Sequence, residues 1–119
     1  MFISAGISAI KYAYRSDPYP KPQGYKMANR GHSKGGIEPR NLNHQLALKQ
    51  AASNPTAGTQ VQIVMGDTIW PAKEGWVKMQ QVIVIPDKER ITIHYVMNQR
   101  LWLIDDFKIV RIKPIFRRW

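Results

Sequence analysis

From position 76 onward apolar residues recur at alternate positions, in three runs separated by turn-forming residues. The runs are WVKMQQVIVI (76–85), RITIHYVM (90–97) and LWLIDDFKIVRI (101–112). Pro86-Asp87-Lys88-Glu89 and Asn98-Gln99-Arg100 separate them. A period of two sends successive side chains to opposite faces of a strand, and short turns between such runs make antiparallel neighbours. This stretch therefore commits the chain to a β-meander. A shorter run, QVQIVM (60–65), ends at Gly66-Asp67 and is expected to add a strand with Val61, Ile63 and Met65 inward. The loop after it carries Trp70-Pro71.

Upstream the period lengthens. Residues 42–53, LNHQLALKQAAS, read as a helix capped by Asn41 or Asn43 and stopped by Asn54-Pro55. Its core face is expected to hold Leu42 and Leu46, with Lys49 and Gln50 alongside and Leu48, Ala51 and Ala52 widening the stripe. Residues 1–14 begin apolar and read as a short helix, but the apolar run is too short to cross a bilayer, so no stable membrane insertion is expected. Residues 16–40 hold Pro18, Pro20 and Pro22, then Gly24, Gly31, Gly35 and Gly36, with basic residues among them. Prolines and glycines so dense disfavour helix and sheet, so 1–40 reads as an N-terminal helix and basic tether. Residues 41–119 read as the compact core of one domain. The expected class is α+β: N-terminal helices packed on a three- to four-stranded antiparallel sheet.

The formal charge of +10 is spread over both parts of the chain rather than gathered in one block. Such a balance on a folded domain points to a polyanionic partner, either nucleic acid or an acidic protein. With no cysteine there is no disulfide, thiolate metal site or thiol nucleophile. Phosphate-binding loops, dinucleotide fingerprints, HExxH and the serine elbow are all missing, and the scattered histidines form no metal set. No metal or organic cofactor is expected.

Strand alternation proposes a site. On 90–97, Ile91, Ile93, Tyr95 and Met97 form the core stripe, leaving Arg90, Thr92, His94 and Val96 on the other face. On 76–85 the corresponding face carries Trp76, Lys78, Gln80, Val82 and Val84. A hairpin turning at 86–89 brings Lys78 and Gln80 within a residue or two of His94. Asp106 and Lys108 share a face of the last strand, which can break at Asp105-Asp106. This set suits metal-free RNA cleavage, in which a base takes the 2′-hydroxyl proton, an acid protonates the leaving 5′-oxygen and a cation stabilises the phosphoryl oxygens. His94 is the favoured acid/base, Lys78 the phosphate stabiliser and His44 a second acid/base candidate. Thr92 and Lys108 support them, and Gln80, Trp76, Arg90 and Asp106 are candidates for holding substrate. Asp105-Asp106 also reads as a salt-bridge partner for Lys or Arg. Trp70, Trp76 and Trp102 are candidate base platforms, although tryptophans pack cores more often. His32, in the tether, ranks last among the histidines.

The stretches LNHQLALKQAASNPTAGTQ, GDTIWPAKEGWVKMQQ, ITIHYVMNQ and IDDFKIV, covering residues 41–110, resemble the C-terminal toxin domains of bacterial polymorphic toxins, of the contact-dependent inhibition and Rhs types. The resemblance implies a nuclease of the barnase–EndoU–colicin–RelE kind, with helices followed by a four-stranded antiparallel sheet bearing the active site. It further implies RNA cleavage, often of tRNA, delivery as the tail of a larger toxin into a target cytoplasm, and neutralisation by a cognate immunity protein, expected to be acidic. Such domains share no universal catalytic set, so the candidate residues rest on the strand faces. The rival expectations are a non-catalytic module binding RNA or an acidic protein, and a DNase toxin.

Overall fold

The computed structural model describes residues 24–63 and 65–116. The helix expected over 1–14 lies outside them. Among the described residues the fold is α+β: one α-helix, α1 (Leu42–Ser53), packs on a five-stranded mixed sheet. The strands are β1 (Lys26–Met27), β2 (Thr59–Gln60), β3 (Trp76–Ile85), β4 (Glu89–Asn98) and β5 (Leu103–Pro114), in the order β1-β5-β4-β3-β2. β2 to β5 form the antiparallel meander. β1 departs from the expected all-antiparallel sheet by pairing parallel with β5, Lys26 opposite Leu103 and Met27 opposite Ile104.

The hairpin follows from its sequence. Asp87 takes a left-handed φ of 63° in the turn, and Ile85 pairs with Glu89. The register then runs unbroken to Trp76 opposite Asn98, placing Gln80 opposite His94 and Lys78 opposite Val96. At the far end the Asn98 side chain closes the next turn, its Oδ1 accepting from the backbone N–H of Arg100 (2.9 Å) and Leu101 (3.0 Å).

The helix is capped by Asn41, whose side chain accepts from His44 N at 3.0 Å. Its buried face is His44, Ala47 and Ala51, with Leu48 half-buried beside them. This corrects the expected stripe, for Leu42 is 66% exposed and Leu46 43%. Two alanines let the helix axis sit close to the sheet, where leucines would hold it off. The main core lies between this face and Met79, Ile83, Ile91, Ile93, Tyr95, Met97, Ile104 and Ile109. Tyr95 stacks on Phe107 with ring centroids 4.6 Å apart. Gln81, the polar interruption of the β3 stripe, is buried there because its Nε2 reaches Ala51 O, Asn54 O and Tyr95 Oη.

The strand expected over 60–65 is cut short. Val61 N still donates to Lys78 O at 2.8 Å, but pairing in β2 stops at Gln60 and Ile63 is exposed. A second, smaller core lies on the opposite face of the sheet, where Trp70 and Trp76 cover Val96 and Ala28, Met65 and Leu103 pack around them. The described part of the basic segment, residues 24–40, lies along β5 by way of β1 and a bridge from Ile37 to Ile109.

Candidate functional site

β5 carries two irregularities against β4, and they decide what faces outward. Val96 pairs with Asp105, while His94 pairs with Lys108, so an extra residue sits between these rungs. Asp106, with a left-handed φ of 56°, takes up the slack. A bulge of this kind turns two successive side chains to one side. Asp105 and Asp106 thus both face away from the helix, while Phe107 returns to the core against Tyr95. The second shift, at Thr92/Ile93, restores the alternation so that Arg111 lies opposite Thr92 and Lys113 opposite Arg90.

Both aspartates are buried and serve as anchors. Asp105 Oδ2 accepts from Arg30 N at 2.8 Å and Trp70 Nε1 at 2.9 Å. Asp106 accepts from Ser33 N at 2.9 Å and Ser33 Oγ at 2.7 Å. These bonds tie residues 30–33 across β5 and replace the expected pairing with Lys or Arg side chains. They also correct the reading of Asp106 as a substrate contact, since a carboxylate 1% exposed is closed to a ligand. Gly36 turns the loop back with φ 96°, and a Cβ there would sit 3.2 Å from Lys108 Cβ. The loop delivers two groups: Ser33 Oγ accepts a short hydrogen bond from Lys108 Nζ, and His32 Nδ1 lies 3.5 Å from Asp106 Oδ1 with its side chain 73% exposed. Lys34 O accepts from Lys108 Nζ as well, at 3.1 Å.

His94 sits half-exposed in the centre rung, between Gln80 on β3 and Lys108 on β5. Its Nε2 is 2.9 Å from Gln80 Oε1. With the amide oxygen accepting, Nε2 bears the proton and Nδ1 keeps the lone pair. Burial lowers the imidazole pKa below its ordinary value, and the positive charges of Lys78 and Lys108 lower it further. The ring is therefore neutral at neutral pH, the form a general base needs. Burial also lowers the Lys78 pKa, with Lys108 adding to the effect and Asp106 and Asp67 opposing it.

The expected constellation of Lys78, Gln80, Thr92, His94 and Lys108 is thus brought onto one face, with Arg90 at its exposed end. Two candidates are not. His44 is buried on the helix side, where its Nδ1 accepts from Arg40 N at 2.9 Å and its Nε2 lies 3.3 Å from Glu89 Oε2. The sheet separates it from His94, so it is a capping and packing residue rather than a second acid/base group. Trp76 is 1% exposed, donates to Glu74 Oε1 at 3.0 Å and lies under the Arg30 guanidinium, 5.2 Å from its ring. It cannot stack a base, and neither can the buried Trp70. Trp102 is half-exposed in the β4–β5 turn, tilted against Tyr25 at 5.1 Å.

His32, ranked last among the histidines, and Ser33, which no motif marks, are brought to this edge of the face. Their only signal was the run Gly31, Gly35 and Gly36, which permits a loop to double back but does not say onto what. A cavity of about 600 Å³ lies at the Trp76–Asn98 end of the sheet, lined by Gly58, Met65, Trp76, Met79, Met97 and Arg100 among others, and includes none of Lys78, Gln80, Thr92, His94 and Lys108. The candidate site is instead an open sheet face, the form suited to a polymer rather than an enclosed small molecule. Among the described residues no group of three or more His, Cys, Asp or Glu is placed to hold a metal ion, and no helix is long and apolar enough to cross a membrane. Compared with family models, curated proteins and solved structures, the chain matches none.

Proposed function

We propose that this chain is a metal-independent endoribonuclease module, acting on RNA of the tRNA class as the toxic part of a delivered antibacterial protein. The observation that carries the reading is His94, a neutral imidazole held by Gln80 between two lysines on a cationic, open sheet face. In this reading His94 takes the proton from a ribose 2′-hydroxyl. That oxygen attacks the adjacent phosphorus, forming a 2′,3′-cyclic phosphate, and the bond to the leaving 5′-oxygen breaks. Lys78 and Lys108 stabilise the charge that gathers on the phosphoryl oxygens. The leaving oxygen takes a proton from His32, the exposed imidazole beside Asp106. The resemblance to polymorphic-toxin tails supports delivery into a target cytoplasm and control by an acidic immunity protein, and the net charge of +10 suits both RNA and such an inhibitor.

The test is incubation of the pure protein with total tRNA in EDTA, followed by a denaturing gel. Discrete fragments carrying cyclic phosphate ends are expected. His94→Ala abolishes them and abolishes toxicity in cells while leaving the thermal melt nearly unchanged. RNA that is shifted on a native gel but never cut would make the protein a binding module, and a fully toxic His94→Ala would remove His94 from the mechanism. Loss of chromosomal DNA with added divalent metal, and intact RNA, would make it a DNase.

A further inference from the structure

The outward face is asymmetric about His94. On one side the next rung is Lys78–Val96–Asp105. There Val96 is wholly buried beneath Trp70 and Trp76, and Asp105 is covered by Arg30 and Trp70. On the other side the rungs are Val82–Thr92–Arg111 and Val84–Arg90–Lys113. Here Arg90, Arg111 and Lys113 are exposed, Val82 is 47% exposed and Val84 52%. No acidic side chain stands on these two rungs. Lys108, Arg111 and Lys113 therefore form a row of cations along β5, parallel to an apolar strip on β3.

Alternate residues on a strand face are about 7 Å apart, comparable to the backbone repeat of an extended polynucleotide. The extra residue at Val110 lengthens the first step between Lys108 and Arg111. A straight row of cations beside exposed valines fits a strand whose phosphates and unpaired bases lie side by side. A duplex keeps its base faces stacked inside and offers the valines nothing.

We infer that the open half of this face is a binding track for single-stranded nucleic acid, which runs from His94 along β5 toward the 86–88 turn and has no counterpart on the other side. Resting on the ribonuclease reading, the inference names the substrate class of that site, an unpaired and extended segment. It also makes the reacting phosphate lie at one end of the bound strand.

The track is tested with a fluorescent 2′-O-methyl oligonucleotide, which the proposed chemistry cannot cut. Anisotropy titrations between about 50 and 200 mM salt give the dependence of log Kd on log salt. Each phosphate contact with a single strand contributes a slope of about 0.7 in magnitude, so Arg111→Gln/Lys113→Gln is expected to reduce the slope by about 1.4. The melt of this exposed-surface variant should stay near that of the wild type. The single strand is expected to bind at least ~10-fold more tightly than a blunt duplex of the same length. DNA strands holding one ribonucleotide provide the second arm. Adding nucleotides on one side of it should lower KM, and adding them on the other should leave KM unchanged.

An unchanged salt slope in a folded double variant, equal affinity for the duplex, or equal benefit from either extension would overturn the track. So would displacement of the oligonucleotide by an equal charge of polyglutamate, which would assign the face to an acidic protein. Binding as described without any RNA cleavage would overturn the nuclease reading and leave the track standing, because the titrations use an uncleavable strand.

Discussion

Asp106→Ala should unfasten the loop that borders the site. Asp106 is buried and accepts two hydrogen bonds from Ser33, from the backbone N–H at 2.9 Å and the hydroxyl at 2.7 Å. A hydrogen bond to a charged group contributes about 1.5–3 kcal/mol. Ser33 is half-buried, so water recovers part of what truncation removes, and we expect a net loss of about 3 kcal/mol. With a urea m-value of about 1.5 kcal/mol/M, the unfolding midpoint falls by about 2 M. Heating should show a Tm lowered by about 12 °C, at about 4 °C per kcal/mol for a domain of this size. Asp106→Asn supplies the control: it keeps the shape and one acceptor oxygen for Ser33 N, so it should lose about half as much. A loss below about 0.5 kcal/mol in Asp106→Ala would refute the claim that this carboxylate pins Ser33 to β5.

The acid limb of the pH–rate profile should have its inflection below the ordinary histidine value of about 6.5, because burial and the two lysines lower the His94 pKa. Lys108→Met should move that inflection upward, as seen by following the ring in an NMR titration. The same shift ties stability to pH: the unfolded chain takes up this proton first, so the contribution is present above about 6.5 and is lost as pH falls through the lowered folded value. His94→Gln should flatten that part of the stability–pH curve. His44→Ala should cost about 1–3 kcal/mol in urea by freeing Arg40 N and Glu89, while cleavage per folded molecule stays unchanged. Gly58→Ala should destabilise by about 1–3 kcal/mol, since its Cβ would press on Tyr95 Oη and come 2.8 Å from Gln80 O; an unchanged melt would show that the Pro55–Gly58 turn can move aside.

The elements set by local pattern were readable from the residues alone. β3 and α1 occupy the stretches that alternation and capping indicate, and the short turn at 86–88 places Gln80 opposite His94. What escaped was set by partners distant in the chain. Leucines mark a core stripe only where the facing surface has room for them, and the sheet takes Ala47 and Ala51 instead. The pair Asp105-Asp106 marked where the 101–112 strand could break, but that both carboxylates turn to one face answers to Ser33, Arg30 and Trp70. The buried state of Trp76 follows from a loop and an arginine more than 40 residues upstream of it. Trp76 alternates in phase with Lys78 and Gln80, so phase alone predicted the right face and said nothing of what would cover it.

The clasp between Ser33 and β5 also bears on how the molecule comes into being. Its two sides are separated by 73 positions at Asp106 and 75 at Lys108. Closing so long a loop carries an entropic cost that is recovered only when both sides are in place. During synthesis residues 30–36 leave the ribosome long before Lys108 exists, and must wait unattached while the hairpin of β3 and β4 assembles. A chain halted before β5 would hold His94 and Lys78 yet lack Lys108 and the clasped loop beside them, so the face around His94 is completed only when β5 is in place.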